Sequence, residues 1–171
     1  MRVHTELAGP DNGYPALCLH GHPGSGKAMS VFAGPLAEMG FRTYAPDMRG
    51  YGRSKTKYPF EMPRHLDDME ELLVRFELEQ CLVLGWSLGG YWAVEATRFL
   101  PDQFAAAVVY YGQPDSDPDM VSAISAPVLG LYGGADRSIP AESVRAFRKQ
   151  AQALDKSVEV IIFPKANHGF A

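Results

Sequence analysis

The sequence predicts an α/β protein: a three-layer α/β/α sandwich around a mostly parallel sheet of about seven strands. Three observations lead there. Short apolar runs alternate along the chain with stretches of helical periodicity. Some of these runs, such as Cys81-Leu82-Val83-Leu84, are apolar throughout rather than at every second position, as a strand buried on both faces must be. Most of the runs lead into loops rich in Gly, Pro, Asp and Ser, at the carboxyl ends where a parallel sheet carries its chemistry.

Taken in order, residues 3–7 suggest a short first strand, and Ala8-Gly9-Pro10-Asp11-Asn12-Gly13 is turn-forming. Residues 16–20 are a buried strand entering Gly21-His22-Pro23-Gly24-Ser25-Gly26-Lys27. Residues 30–39 read as a helix, stopped by Gly40 as its C-terminal cap. Residues 42–46 form the next strand and 47–54 a loop. Leu66, Met69, Leu72, Leu73 and Phe76 recur at spacings of three and four, giving one apolar helical stripe over 66–78. The strand from Cys81 breaks into Gly85-Trp86-Ser87-Leu88-Gly89 and continues as a helix ending near Leu100-Pro101. Residues 104–111 and 127–132 are strands, the second running into Gly133-Gly134-Ala135-Asp136. A helix over 142–154 and a last strand over 158–163 complete the pattern. The whole reads as one domain, residues 1–171.

Composition narrows the function classes. A net charge of −4 over 171 residues argues against nucleic acid or an anionic membrane as partner. No apolar run approaches the roughly 18 residues of a membrane span, and the N-terminus lacks a signal-peptide core. Cys18 and Cys81 both lie in apolar strand runs, which suits buried free thiols in a reducing cytoplasm. No His/Cys/Asp cluster has metal-ligand spacing, so neither a metal nor an organic cofactor is expected.

The stretch around Ser87 organises the chain. A serine on a sharp turn between strand and helix needs neighbours without bulk, and Gly85 and Gly89 stand two positions to either side. The turn puts Ser87 at a helix N-terminus, whose free N–H groups favour a developing anion.

Residues 15–100 resemble the epoxide-hydrolase-like and haloperoxidase-like branch of the α/β-hydrolases. The matching residues are His20-Gly21-x-Pro23, Asp47-x-Arg49-Gly50-x-Gly52-x-Ser54 and Gly85-Trp86-Ser87-Leu88-Gly89-Gly90. Residues 105–171 resemble dienelactone hydrolase through Tyr110-Tyr111-Gly112, Ala126-Pro127-Val128-Leu129-Gly130, Gly133-x-x-Asp136-x-x-Ile139-Pro140 and His168-Gly169-Phe170. Two branches in one chain is the pattern expected of a recombined sequence. The resemblance implies a nucleophile elbow at Ser87 and a Ser…Asp…His order along the chain. Ser87 is then the nucleophile, His168 the base that takes its proton, and Asp136 the carboxylate that orients the base. Asp115, in an acidic turn after the preceding strand, is the alternative acid. The backbone N–H groups of His22 and Leu88 are the implied oxyanion donors. Trp86, Tyr111 and Phe170 are candidates to line the acyl pocket. His20 is expected to brace its loop, and His4 and His65 to lie on the surface.

The chain departs from the resemblance in places. A serine, not an aspartate, at position 87 argues against dehalogenase and epoxide hydrolase chemistry, and a serine, not a cysteine, departs from the dienelactone hydrolase pattern. Only a short connection joins the strands around Tyr111 and Pro127, where capped members insert a helical lid. A final helix after His168 is not seen, so apolar surface is expected on one sheet face, hidden in a homo-oligomer. The expected activity is cleavage of short-chain carboxylic esters through an acyl-enzyme. One alternative is a catalytically weak hydrolase-like scaffold. The other is nucleotide binding at Gly21-His22-Pro23-Gly24-Ser25-Gly26-Lys27-Ala28, nearly a phosphate-binding loop but with Ala28 where a Mg²⁺-holding Ser or Thr belongs.

Overall fold

The computed structural model describes residues 1–57 and 62–171. The strands are β1 (Thr5–Ala8), β2 (Tyr14–Leu19), β3 (Phe41–Pro46), β4 (Cys81–Trp86), β5 (Phe104–Tyr110), β6 (Val128–Gly133) and β7 (Val158–Phe163). The helices are α1 (Ser30–Glu38), α2 (Met62–Arg75), α3 (Leu88–Phe99), α4 (Pro118–Ser122) and α5 (Ala141–Ala153). Among the described residues the strands form one seven-stranded sheet in the order β1-β3-β2-β4-β5-β6-β7. Every pairing is parallel except β1 with β3. β1 reverses direction because it reaches β3's edge without a helical crossover of its own, and an antiparallel neighbour needs none.

The sheet is covered unequally. On one face, α2, α3 and α5 pack the larger core, with Leu72, Trp92, Ala93, Val144 and Phe147 meeting Leu17, Val83, Val109, Val128 and Tyr132. On the other, α1 buries Ala33 with Cys18, Ala45 and Leu84. On that side of β6 and β7, Leu129 and Leu131 are half-buried, while Ile161 and Phe163 are 39% and 41% exposed. The predicted stripe on α2 is real: Met69, Leu72 and Leu73 are all buried. α1 ends where expected, with Gly40 at φ +93° just beyond it.

Two expectations need adjustment. His65 is not a surface residue: it is buried on α2, its ring stacked on Trp92 at 4.6 Å and 8°. A histidine just ahead of the predicted stripe reads as exposed until its partner on another helix is known. The short connection between β5 and β6 is partly helical, as α4. There Pro118 follows the N-cap Asp117, whose side chain accepts the Asp119 and Met120 N–H groups. Cys18 and Cys81 are buried free thiols, and burial pushes the pKa of each up to about 12. No helix among the described residues is long and apolar enough to cross a membrane.

Candidate active site

Ser87 follows β4 and is the N-cap of α3, at φ 51° and ψ −118°. A non-glycine residue is rarely found there, so surrounding contacts must hold it. A Cβ on Gly85 would stand 2.2 Å from Gly89 O, and one on Gly89 would stand 2.0 Å from Leu19 O. Both positions therefore demand glycine, and the turn is locked by Ser87 N–H donating to Tyr110 O at 2.8 Å.

β6 ends beside β7, and the loops after these strands deliver the other two groups. Ser87 Oγ lies 3.0 Å from His168 Nε2, and His168 Nδ1 lies 2.8 Å from Asp136 Oδ2. With Nδ1–H donating to the carboxylate, Nε2 is free to accept the serine proton. Asp136 also uses its second oxygen: Oδ1 accepts the N–H groups of Ser138 at 2.7 Å and Ile139 at 3.0 Å. One carboxylate thus closes its own turn with one oxygen and meets the histidine with the other. Burial by itself would raise the Asp136 carboxyl. The Ile139 N–H, the His168 hydrogen bond and the Ser138 N–H outweigh that and hold it below its ordinary value. The arrangement runs from a buried acid, 1% exposed, to a histidine side chain 32% exposed. Asp115 takes no part: its Oδ1 accepts the Asp117 N–H within its own turn.

Gly21, His22, Pro23, Trp86, Ser87, Tyr111, His168 and Gly169 surround an open cleft of about 270 Å³. Leu88 occupies the first helical position, where the N–H has no intrahelical acceptor. Gly21 packs directly on the elbow: a Cβ there would lie 3.1 Å from Ser87 Cβ. Trp86 and Tyr111 line the cleft. Phe170 stands behind it, its ring against Tyr111 at 5.2 Å and Phe163 at 5.2 Å. His20 is buried and braces its loop, with Nδ1–H donating to Gly21 O at 2.8 Å and Nε2 accepting Met48 N–H at 3.0 Å.

The glycine loop is not arranged for phosphate. Gly26 N–H donates to Asp47 Oδ1 at 2.7 Å, so a buried carboxylate sits where an anionic ligand would bind. Gly24 is folded over its own loop, so closely that a Cβ on it would stand 2.6 Å from Gly21 O. Sequence reasoning misses this role of Asp47, although the Asp47-x-Arg49-Gly50-x-Gly52 pattern is the available signal. A larger cavity of about 680 Å³, between α1 and the β1–β3 edge, includes Lys27 and Asp47 but none of the Ser87 relay.

A hydrogen-bonded line of Ser87, His168 and Asp136 at the carboxyl edge of a seven-stranded, mostly parallel sheet fits an α/β-hydrolase architecture. The dienelactone hydrolase family model matches residues 4–171, across both halves, and the chain belongs to that family. A carboxymethylenebutenolidase candidate from Escherichia coli O157:H7 is 35% identical over 105 residues, 55% of this chain and 38% of the relative. A haloalkane dehalogenase from Psychrobacter cryohalolentis is 31% identical over 110 residues, 61% of this chain and 36% of the relative. The matched part of the chain thus spans less than two fifths of the length of these relatives. Among solved structures, a dienelactone hydrolase candidate from Klebsiella pneumoniae superposes with a TM-score of 0.82 at 23% identity, over 97% of this chain and 81% of the other. A thermophilic esterase from Thermogutta terrifontis superposes with a TM-score of 0.81 at 20% identity, over 97% and 86%. These two likenesses speak to the fold.

Proposed function

We propose that the chain hydrolyses short-chain carboxylic esters through an acyl-enzyme on Ser87. The observation that carries this is the continuous hydrogen-bonded line from Ser87 Oγ through His168 to Asp136. In the first half-reaction Ser87 Oγ attacks the ester carbonyl carbon and its proton passes to His168 Nε2. The negative charge that develops on the carbonyl oxygen faces the His22 and Leu88 N–H groups. Collapse breaks the bond to the alkoxy group, which leaves as alcohol with the proton from His168. Water then attacks the acyl carbon, gives its proton to His168, and releases the acid while Ser87 recovers its hydrogen. Asp136 holds the productive tautomer and stabilises the imidazolium at each stage.

The cleft's size and lining bear on the substrate. About 270 Å³ of open space suits a small acyl group. Among the described residues no Lys or Arg lines it, which favours uncharged esters.

The test is hydrolysis of p-nitrophenyl acetate by the parent, Ser87→Ala and His168→Ala. Both variants should lose at least about a thousandfold in kcat while folding normally. A parent no faster than its variants would reduce the protein to a hydrolase-like scaffold. The parent's rate should fall as the solution is acidified, because an imidazolium cannot accept the serine proton. A rate that does not fall in acid would remove His168 as the base. Acetyl esters should turn over faster than octanoyl or longer ones, and the reverse order would refute the short-chain assignment.

A further inference from the structure

The loop that carries His22 is held from outside the relay, by the loop over residues 47–54. His20 Nε2 accepts Met48 N–H, and Asp47 Oδ1 accepts Gly26 N–H, which pins both ends of the His22 segment. Between these anchors, the Tyr51 hydroxyl lies 2.8 Å from His22 Nδ1. The Tyr51 ring also stands edge-on to His20 at 5.1 Å and to His22 at 5.6 Å.

Tyr51 is itself aimed by a tightly built turn. Its N–H donates to Met48 O, Ser54 N–H donates to Tyr51 O, and Gly50 N–H donates to Ser54 O, all at 2.8–2.9 Å. Gly50 and Gly52, on either side, have φ of +86° and +49°. A Cβ on Gly52 would lie 2.3 Å from Asp47 Oδ2, so the turn is pressed against the same carboxylate that anchors Gly26. His22, by contrast, is exposed on its loop.

We propose that Tyr51 is a positioning residue for the oxyanion site. Its hydroxyl donates to His22 Nδ1 and so holds the His22 peptide N–H in register with Ser87. The inference rests on the ester-hydrolase reading of that same site. An oxyanion donor must sit about 2.7–3.1 Å from where the charge develops, and a loop residue free to swing does not keep that distance. The contribution appears in the transition state, when the carbonyl oxygen becomes an anion, and so acts on kcat rather than on KM.

Tyr51→Phe is the discriminating variant, since it keeps the ring and both edge contacts and removes only the hydroxyl. With p-nitrophenyl acetate, kcat should fall about tenfold, the loss of one positioning hydrogen bond, with KM within about twofold and the melting temperature unchanged. Phosphonylation of Ser87 by a p-nitrophenyl alkylphosphonate should slow by a similar factor, because the phosphoryl oxygen gains charge at the same donors. His22→Ala keeps the peptide N–H but removes the imidazole that Tyr51 holds. In that background Tyr51→Phe should cost nothing further.

Unchanged kcat in Tyr51→Phe, a change in KM alone, or an equal loss with and without the His22 imidazole would each overturn the assignment. The two readings fail separately. Ester turnover that survives Ser87→Ala removes the underlying function. An inactive Ser87→Ala beside a fully active Tyr51→Phe removes only the role of Tyr51.

Discussion

At Ser87 the backbone adopts φ 51° and ψ −118°, and the cost of that conformation is offset by neighbours that leave it no alternative. β4, the start of α3 and the end of β2 approach so closely that Gly85 and Gly89 cannot carry a Cβ. Gly89→Ala should therefore destabilise the fold by at least about 2 kcal/mol, since the clash is with the backbone of Leu19 and no side chain can rotate away. Urea unfolding of the variant checks this, and an unchanged midpoint would mean the elbow is looser than its distances imply. Asp136 divides its two oxygens between separate tasks. One oxygen is satisfied by two backbone N–H groups, so the other is fixed in direction when it meets His168. A carboxylate held only by the histidine would rotate with it and orient nothing.

Elements cooperate at the loop after β3. Asp47 accepts N–H groups from Gly26 at 2.7 Å and Arg53 at 2.8 Å, so a single side chain joins the loops after β2 and β3. Burial would raise its carboxyl, but the Arg53 and Gly26 N–H groups together outweigh burial and hold it below its ordinary value of 3.8. A carboxyl lowered by folding stabilises the native state above the unfolded value, and that stability is lost as the pH falls through the lower native value. Asp47→Asn should accordingly be less stable than the parent near neutrality. The gap between their urea midpoints should close as the pH is brought below about 3.8. A gap that persists in strong acid would mean Asp47 acts through shape and not through charge. His20 and Tyr51 sit on the same joint, so under the proposed hydrolysis a loosened Asp47 should also lower kcat with p-nitrophenyl acetate.

For the whole molecule, the unequal covering of the sheet is the feature with a physical consequence. α2, α3 and α5 bury one face, while Ile161 and Phe163 remain exposed on the side of α1. Their neighbours Leu129 and Leu131 are half-buried on the same face. Contiguous apolar surface favours self-association. A second copy on this face would give twice the 18.7 kDa chain mass in light scattering at tens of micromolar protein. Ile161→Lys should then return it to a monomer without changing the Ser87 relay. A parent of single-chain mass at that concentration would remove the homo-oligomer expected from the sequence.

The order of the strands and of the four longer helices was legible in the amino-acid sequence because it is written locally. Apolar runs, a three-and-four stripe on α2 and glycines at chain reversals repeat over a few residues. The parallel sheet follows from their alternation, and its carboxyl-edge loops already contained Ser87, Asp136 and His168 in order. Other features depend on residues far apart in the chain, which leave no periodic trace. The antiparallel β1, the burial of His65 against Trp92, and the retreat of Phe170 behind Tyr111 belong to that group. So does the Asp47 carboxylate, which turns a phosphate-loop-like sequence into a brace. The residue types proposed to do chemistry were set by the sequence. The 3.0 Å and 2.8 Å spacings that join them, and the Tyr51 contact beside them, came only when the strands were brought together.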